Sequence, residues 1–321
     1  MGALITIGIT SYNAADTIIA AVESALNQNY PHFEIVIVDD VSTDDTWNIV
    51  QRLARAHPDK IRVIQNDKNL GVAGTRNRII VEAQGDFLAF FDDDDVSVPQ
   101  RIAKQMQRIT DYERDYARGV PVICHAARLQ KYPDGSEVIA PTMGCDLKKI
   151  GPYAHDMAAR ILYNKKIDGG DGSMPTCSQM ARLSTYKQLG GFDESFRRME
   201  DTEFNVRLAL AGGHFVGISE PLVVQTMTLA NDKNIKAERG FARQLYQKHK
   251  SFLFEQGRGT FDIDWVEAKH DYWEGARLKF IFRLIVLFLS YPILSVGRIF
   301  HALPNMGYNT ALRRFHAKVQ E

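Results

Sequence analysis

Over the first ninety residues, short runs of β-branched and apolar residues alternate with stretches whose apolar positions recur every three or four places. Residues 4–9, 34–38, 61–65 and 87–91 read as strands, and 16–27, 44–56 and 72–83 as the helices between them. That rhythm predicts βαβ units and a parallel sheet, and the strands are nearly continuously apolar, as they are when helices cover both faces. In such sheets ligands sit beyond the carboxyl ends of the strands. Here those ends are polar or acidic: Thr10-Ser11-Tyr12-Asn13 after the first, Asp39-Asp40 after the second, and Asp92 to Asp95 after the fourth.

From about residue 120 the pattern changes. Residues 120–131 and 138–140, separated by Pro133-Asp134-Gly135, read as a hairpin, and 174–183 as a further strand after a loose loop, Gly169-Gly170-Asp171-Gly172. A helix over 200–211 is ended by Gly212-Gly213, and 214–218 and 222–226 read as edge strands. Beyond Asn231 the pattern is wholly helical, with no internal repeat. The expected class is therefore α/β: a Rossmann-like, mostly parallel sheet over 1–119, a mixed half over 120–230, and a helical region over 231–321.

Apolar residues make up 45% and charged residues 24%, ordinary values for a globular chain of 321 residues. Lys plus Arg and Asp plus Glu are 39 each, a balance that argues against a nucleic-acid partner. The charge is unevenly spread, since residues 275–321 carry seven basic residues and one acidic one. Cys124, Cys145 and Cys177 are odd in number and far apart, so reduced thiols are expected rather than a disulfide framework or a structural zinc site. The N-terminus has no basic, cleavable apolar leader, and the expected location is cytoplasmic.

Phe90-Phe91-Asp92-Asp93-Asp94-Asp95 is the strongest local signal. Helix capping by Asp94, Asp95 or Ser97 is the plain reading, but one capper would suffice. Crowded carboxylates repel one another, and clustered oxygens suit Mg²⁺ or Mn²⁺, ions that also bridge substrate phosphates. Asp39-Asp40, followed by Val41-Ser42-Thr43-Asp44, reads equally well as a turn with Ser42 or Thr43 as a cap. Glu200, Asp201 and Glu203 are favourable first-turn acids of a helix, yet an acid held ionised there can also serve as a general base.

The ordered series Thr-Ser-Tyr-Asn, Val-Asp-Asp-x-Ser-Thr-Asp, Asn-x-Gly-x-x-x-x-Arg-Asn, Phe-x-Asp-x-Asp-Asp, Gly-Gly-Phe-Asp-Glu and Glu-Asp resembles the family 2 inverting glycosyltransferases of GT-A fold, over roughly residues 4 to 220. The resemblance implies that Thr10, Tyr12 and Asp40 contact the nucleoside of a nucleotide-diphosphate sugar, with Asp40 accepting from the base. It implies that Arg76 lies near the nucleotide, Asp93 near the ribose, Asp94 on a divalent metal (Mn²⁺ or Mg²⁺), and that Asp201 is the catalytic base. Four consecutive aspartates leave the register open by one. An exposed helix arginine is the plain reading of Arg76.

Processive synthases of this family carry Gln-x-x-Arg-Trp, and none of Trp47, Trp265 and Trp273 is preceded by that motif, so addition of a single sugar is expected. Asp92-Asp93-Asp94-Asp95-Val96 also satisfies the Asp-x-Asp-x-Thr/Val pattern of haloacid-dehalogenase-like phosphatases, with Asp92 as nucleophile. That family places the motif after its first strand, whereas here it follows the fourth. A sugar-nucleotide-binding scaffold without activity is the non-enzyme alternative.

Residues 284–297 form an uncharged stretch of 14 residues broken by Pro292 and flanked by Arg283 and Arg298. It is short for a membrane span of about 20 residues. With the surrounding basic residues it suits peripheral contact with an anionic membrane through 277–318, and with it a glycan or lipid-linked acceptor. A core helix is the competing reading.

Overall fold

The computed structural model describes residues 2–117, 119–227 and 235–302. The chain divides into two compact units, Met1–Met227 and Thr228–Glu321.

The first unit is built on one sheet. Its strands are β1 (Ile5–Ser11), β2 (Phe33–Asp39), β3 (Ile61–Gln65), β4 (Phe87–Asp92), β5 (Asp95–Ser97), β6 (Val122–Lys131), β7 (Glu137–Ala140), β8 (Gln179–Arg182) and β9 (His214–Thr226), in the order β3-β2-β1-β4-β8-β6-β9-β5 with β7 beside β6. The helices are α1 (Ile18–Leu26), α2 (Thr46–Ala56), α3 (Gly71–Glu82), α4 (Arg101–Tyr112), α5 (Ala154–Tyr163), α6 (Leu183–Gln188) and α7 (Glu200–Leu210). The pairs β1–β2, β1–β4 and β2–β3 are parallel, as the βαβ rhythm requires. β4–β8 and β6–β8 are antiparallel, so the second half is mixed.

Register decides where the chemistry lies. Thr10 pairs with Val38 on one side and with Asp92 on the other, and Ser11 pairs with Asp39. Three strands therefore end level with one another, and the polar residues that follow each emerge along one edge. Beneath that edge Ile5, Ile7, Ile9, Ile35, Ile37, Phe87 and Phe91 pack against Ile18, Val22, Ile102 and Ile109. Each such side chain contributes roughly 1.5–3 kcal/mol on burial, which makes the edge a rigid platform.

Several expected elements take a different form. The two edge strands are one strand, β9, whose pairing with β6 slips at Ala126/Ala127 and Ala127/Arg128. Of residues 174–183 only Gln179–Arg182 is strand, because Pro175 leads into a 3-10 turn at Thr176–Ser178. β5 was not anticipated: the acidic run turns at Asp93 and Asp94, and Asp95 re-enters the sheet opposite Gln225. Nor was α5.

The second unit is helical in its described residues, with α8 (Ile235–Lys248), α9 (Lys250–Glu255), α10 (Phe261–Trp273), α11 (Arg277–Ser290) and α12 (Pro292–Ala302). Its small core gathers Phe261, Ala268 and Leu287 with Trp265, Phe280, Leu284, Tyr291 and Leu294. Arg239 pairs with Glu267, Asp271 and Glu274, and Arg283 pairs with Asp271 at 2.6 Å.

Candidate active site

Where β2 ends, both aspartates are held by their own chain. Asp39 accepts from the backbone N–H of Ser42 (3.0 Å), Ser42 Oγ (2.5 Å) and Gln65 Nε2 (3.0 Å). Ser42 Oγ in turn accepts from the backbone of Asn13, so Ser42 ties two loops together instead of capping α2. Val41 between them has φ +63°, a conformation that costs a β-branched residue of order 1–3 kcal/mol and that the surrounding bonds impose. Asp40 Oδ1 accepts from Asn66 Nδ2 and the backbone N–H of Leu70, and Oδ2 from the N–H of Gly71, each at 2.8 Å. The carboxylate thus closes the loop 66–71 over the N-terminus of α3. A carboxylate can accept about four hydrogen bonds, so Oδ2 retains capacity for one more donor.

Beyond β4, the acidic run does not act as a helix cap, since α4 begins after Gln100 without a side-chain cap. Asp93 Oδ2 accepts from the backbone N–H of Tyr12 at 3.0 Å and so binds the β1 loop to the β4 loop; the Tyr12 side chain is half-exposed. Burial first, then the charges of Asp92 and Asp94, push the Asp93 carboxyl up to about 7 against the restraining Tyr12 bond. Asp94 sits at the exposed tip of the turn, and its carboxyl is raised by desolvation and by Asp92. Asp95 is only 3% exposed. Its oxygens are supported only weakly, by the nearby Cys177 thiol. Its carboxyl is also pushed up to about 7, by burial and then by Asp92 and Asp94.

The third component arrives from far along the chain. Arg76 on α3 is 5% exposed, so the exposed-helix reading does not hold. Its Nη1 donates to Glu200 Oε1 at 2.6 Å and its Nη2 to Asp92 Oδ1 at 3.3 Å, while Nε is buried without a partner. Desolvation works against the guanidinium's charge, but Asp92, Glu200 and Asp201 together outweigh it and hold the pKa above its ordinary value. Burial raises the Glu200 carboxyl and Arg76 opposes that shift. Asp201, next on the first turn of α7, accepts from the backbone and hydroxyl of Thr202.

Tyr12 is joined to Asp93 by its backbone N–H, Arg76 links Asp92 to Glu200 and feels the charge of Asp201, and Thr10 pairs with Asp92 across β1 and β4. Asp40 stands two strands away from Asp92, at the start of α3, and Asp94 at the tip of its turn. Sequence reasoning did not single out Glu200 as the partner of Arg76, nor Cys177; only the adjacency of Glu200 to Asp201 hinted at the first.

Among the described residues one group of ligand-type atoms converges: a carboxylate oxygen from each of Asp92 and Asp95 and Cys177 Sγ lie within 4.8 Å of one another. Asp94, the expected metal ligand, is not in that group. The unpartnered oxygens of Asp95 and the carboxylates beside them are a donor set that fits a divalent cation.

Residues 6–169, half of the chain, match the sequence profile of glycosyl transferase family 2. The chain belongs to that family. Among its relatives, WfaP of Escherichia coli, a UDP-Glc:alpha-D-GlcNAc-diphosphoundecaprenol beta-1,3-glucosyltransferase, is 45% identical over 103 residues, covering 32% of this chain and 40% of that one. TuaG of Bacillus subtilis, a putative teichuronic acid biosynthesis glycosyltransferase, is 39% identical over 104 residues, covering 32% and 41%. The chain thus spans about two fifths of those two proteins. An uncharacterized glycosyltransferase of Haemophilus influenzae is 28% identical over 81% of each chain. The crystal structure of Staphylococcus aureus TarS 1–349 in complex with UDP-GlcNAc superposes with a TM-score of 0.57 at 19% identity, covering 90% of this chain and 91% of that one. The fold of this family 2 chain is GT-A.

Proposed function

We propose that this family 2 glycosyltransferase moves one sugar from a nucleoside-diphosphate donor, a UDP-sugar first among those to test, to a hydroxyl of a lipid-linked cell-envelope glycan precursor, with inversion. The observation that carries this reading is the Arg76 bridge, which ties Asp92 at the end of β4 to Glu200, the neighbour of Asp201, at the start of α7; in this reading these acids line one crevice.

In this reading Asp40 accepts from the base, Thr10 and Tyr12 line the nucleoside position, and Asp93 faces the ribose. Asp201 takes the proton of the acceptor hydroxyl while that oxygen forms a bond to the anomeric carbon. The bond from that carbon to the phosphate oxygen breaks on the opposite face, and the nucleoside diphosphate leaves with the electron pair. Asp201 stands on the first turn of α7, close enough to Arg76 to interact with its guanidinium. Asp94 would hold the divalent ion, which when bound neutralises charge on the diphosphate.

Relatives whose names specify a diphosphoundecaprenol acceptor support a lipid-linked substrate. So does α11, whose Leu278, Ile281, Phe282, Ile285, Val286 and Leu289 recur at helical spacing and are all exposed, beside exposed Arg277 and Lys279. No helix among the described residues is long and apolar enough to cross a membrane. A helix lying in the interface of an anionic membrane on its cytoplasmic side accounts for such a face. Arg313, Arg314 and Lys318, which complete the basic tail, lie outside the described residues.

The deciding experiment pairs binding with turnover. Thermal unfolding is measured with UDP-, GDP- and dTDP-sugars, each with and without Mn²⁺, for the wild type and Asp201→Asn. One donor class should stabilise both proteins in the presence of metal. Transfer to a lipid-diphosphate acceptor should fall by about a hundredfold or more in the variant. Unchanged transfer by Asp201→Asn removes the base assignment. Donor binding without transfer by the wild type to any hydroxyl acceptor would favour the scaffold.

A further inference from the structure

We propose that Cys177 is a ligand: with Asp92 and Asp95 it forms a thiophilic divalent-cation site of the Zn²⁺ or Cd²⁺ class in the wall of the crevice, separate from an ion held by Asp94. The inference concerns the cation chemistry of the same crevice and rests on its identification only for location.

Three observations point to it. The ligand atoms of Asp92, Asp95 and Cys177 already lie within 4.8 Å of one another, so one small ion can reach all three. Asp95 is 3% exposed and, apart from weak support from the Cys177 thiol, its carboxylate oxygens lack hydrogen-bond partners, an arrangement that is costly unless something else satisfies them. Finally, the sulfur is oriented as an acceptor. Gln225 Nε2 donates toward Cys177 Sγ at 3.8 Å, and Gln225 Oε1 is fixed by Arg128 Nη1 (2.7 Å) and Gln130 Nε2 (3.0 Å), so the amide is turned with its N–H₂ toward the sulfur. An amide donor on a thiolate is the kind of outer partner that orients a ligand and tunes its metal.

Charge and access are consistent. Two carboxylates and a thiolate around a dication leave one negative charge, and the buried guanidinium of Arg101 interacts with all three ligands. Arg128 also faces the thiol, and Asp94 faces Asp95. Asp92, with 29% of its side chain exposed, is the route in. The thiol must release its proton to coordinate, so the cation has to bind sulfur strongly enough to offset that cost; Mg²⁺ does not, and Zn²⁺ and Cd²⁺ do.

Titration of the full chain with Cd²⁺, followed by the ultraviolet thiolate-to-metal absorption, tests this. The band should appear in the wild type and persist in the Cys124→Ser/Cys145→Ser double variant. It should vanish in both Cys177→Ser and Cys177→Ala. Gln225→Met should keep the band and weaken affinity about tenfold. A band that survives both Cys177 variants, or a wild type with none at saturating Cd²⁺, overturns the proposal. Donor-sugar stabilisation with Mg²⁺, measured on the same samples, separates the two readings. If it persists without the band, only the thiol site fails; if it is also absent, the proposed function fails with it.

Discussion

At the scale of single residues, Arg76 and His125 show how burial turns a side chain into a constraint. Arg76 lies between Asp92 and Glu200 with almost no access to water. Removing one partner of a buried pair strands the other charge, so Arg76→Met should cost about 3–5 kcal/mol in urea denaturation. Nothing near position 76 in the sequence could reveal an ion pair with a residue 124 places away; the motif marked the arginine, and only packing supplied its partner. His125 on β6 is fully buried, and neither ring nitrogen makes a hydrogen bond. Burial, then Arg128 and Arg101, push its pKa down to about 3. A base whose folded pKa is depressed binds its proton more readily when unfolded. It therefore withholds stability at low pH and restores it as pH rises from about 3 to about 6.5. In denaturation series across that window, the stability of the wild type relative to His125→Phe should rise with pH by up to a few kcal/mol. A flat difference would show that His125 keeps its proton-binding properties on folding.

At the scale of elements, the sequence motifs prove to be halves of joints. Asn77, at the end of the motif on α3, accepts from the backbone N–H of Phe192 at 2.7 Å and donates to Phe192 O at 2.9 Å and to Glu194 Oε1 at 3.0 Å. The Gly-Gly-Phe-Asp-Glu segment therefore docks on α3 before α7 begins, which fixes where Asp201 emerges. Gly191 has φ +72°, and a Cβ there would lie 2.4 Å from Asn77 Oδ1, whereas Gly190, at φ +74°, has open space around it. Gly190→Ala should cost about 1–2 kcal/mol, the penalty of a left-handed Cβ. Gly191→Ala should cost clearly more and also lower transfer, because the joint that holds α7 must shift. Equal losses for the two variants in urea denaturation would show the Asn77 contact to be slack. The parallel strands were legible because a two-sided burial requirement writes itself as unbroken apolar runs. β5 was not legible, since three residues beginning with an aspartate carry no strand pattern of their own and pair only because β9 is alongside.

For the whole molecule, the two units obey different rules. The first buries a continuous core beneath a polar sheet edge. The second closes a small core on one side of α11 and leaves the other side apolar and exposed, with Leu278 at 85%, Leu289 at 80% and, on α12, Ile293 at 86% exposure. The full chain should therefore sediment with phosphatidylglycerol vesicles and far less with phosphatidylcholine alone. The triple variant Leu278→Ser/Phe282→Ser/Leu289→Ser should remain in the supernatant while keeping donor binding, since the residues proposed to bind the donor all belong to the first unit. Cosedimentation unchanged by the triple variant would remove α11 as the contact.

The amino-acid sequence by itself determined the βαβ rhythm, the polar strand ends and the order of the acidic motifs, because these depend on local periodicity and on which residues tolerate a strand terminus. Tertiary structure alone decided that Arg76 is buried between two acids, that Asp40 secures the start of α3, and that a cysteine more than eighty residues beyond Asp92 stands beside it. Those outcomes depend on pairing between strands distant in sequence, where register, not composition, selects the neighbours.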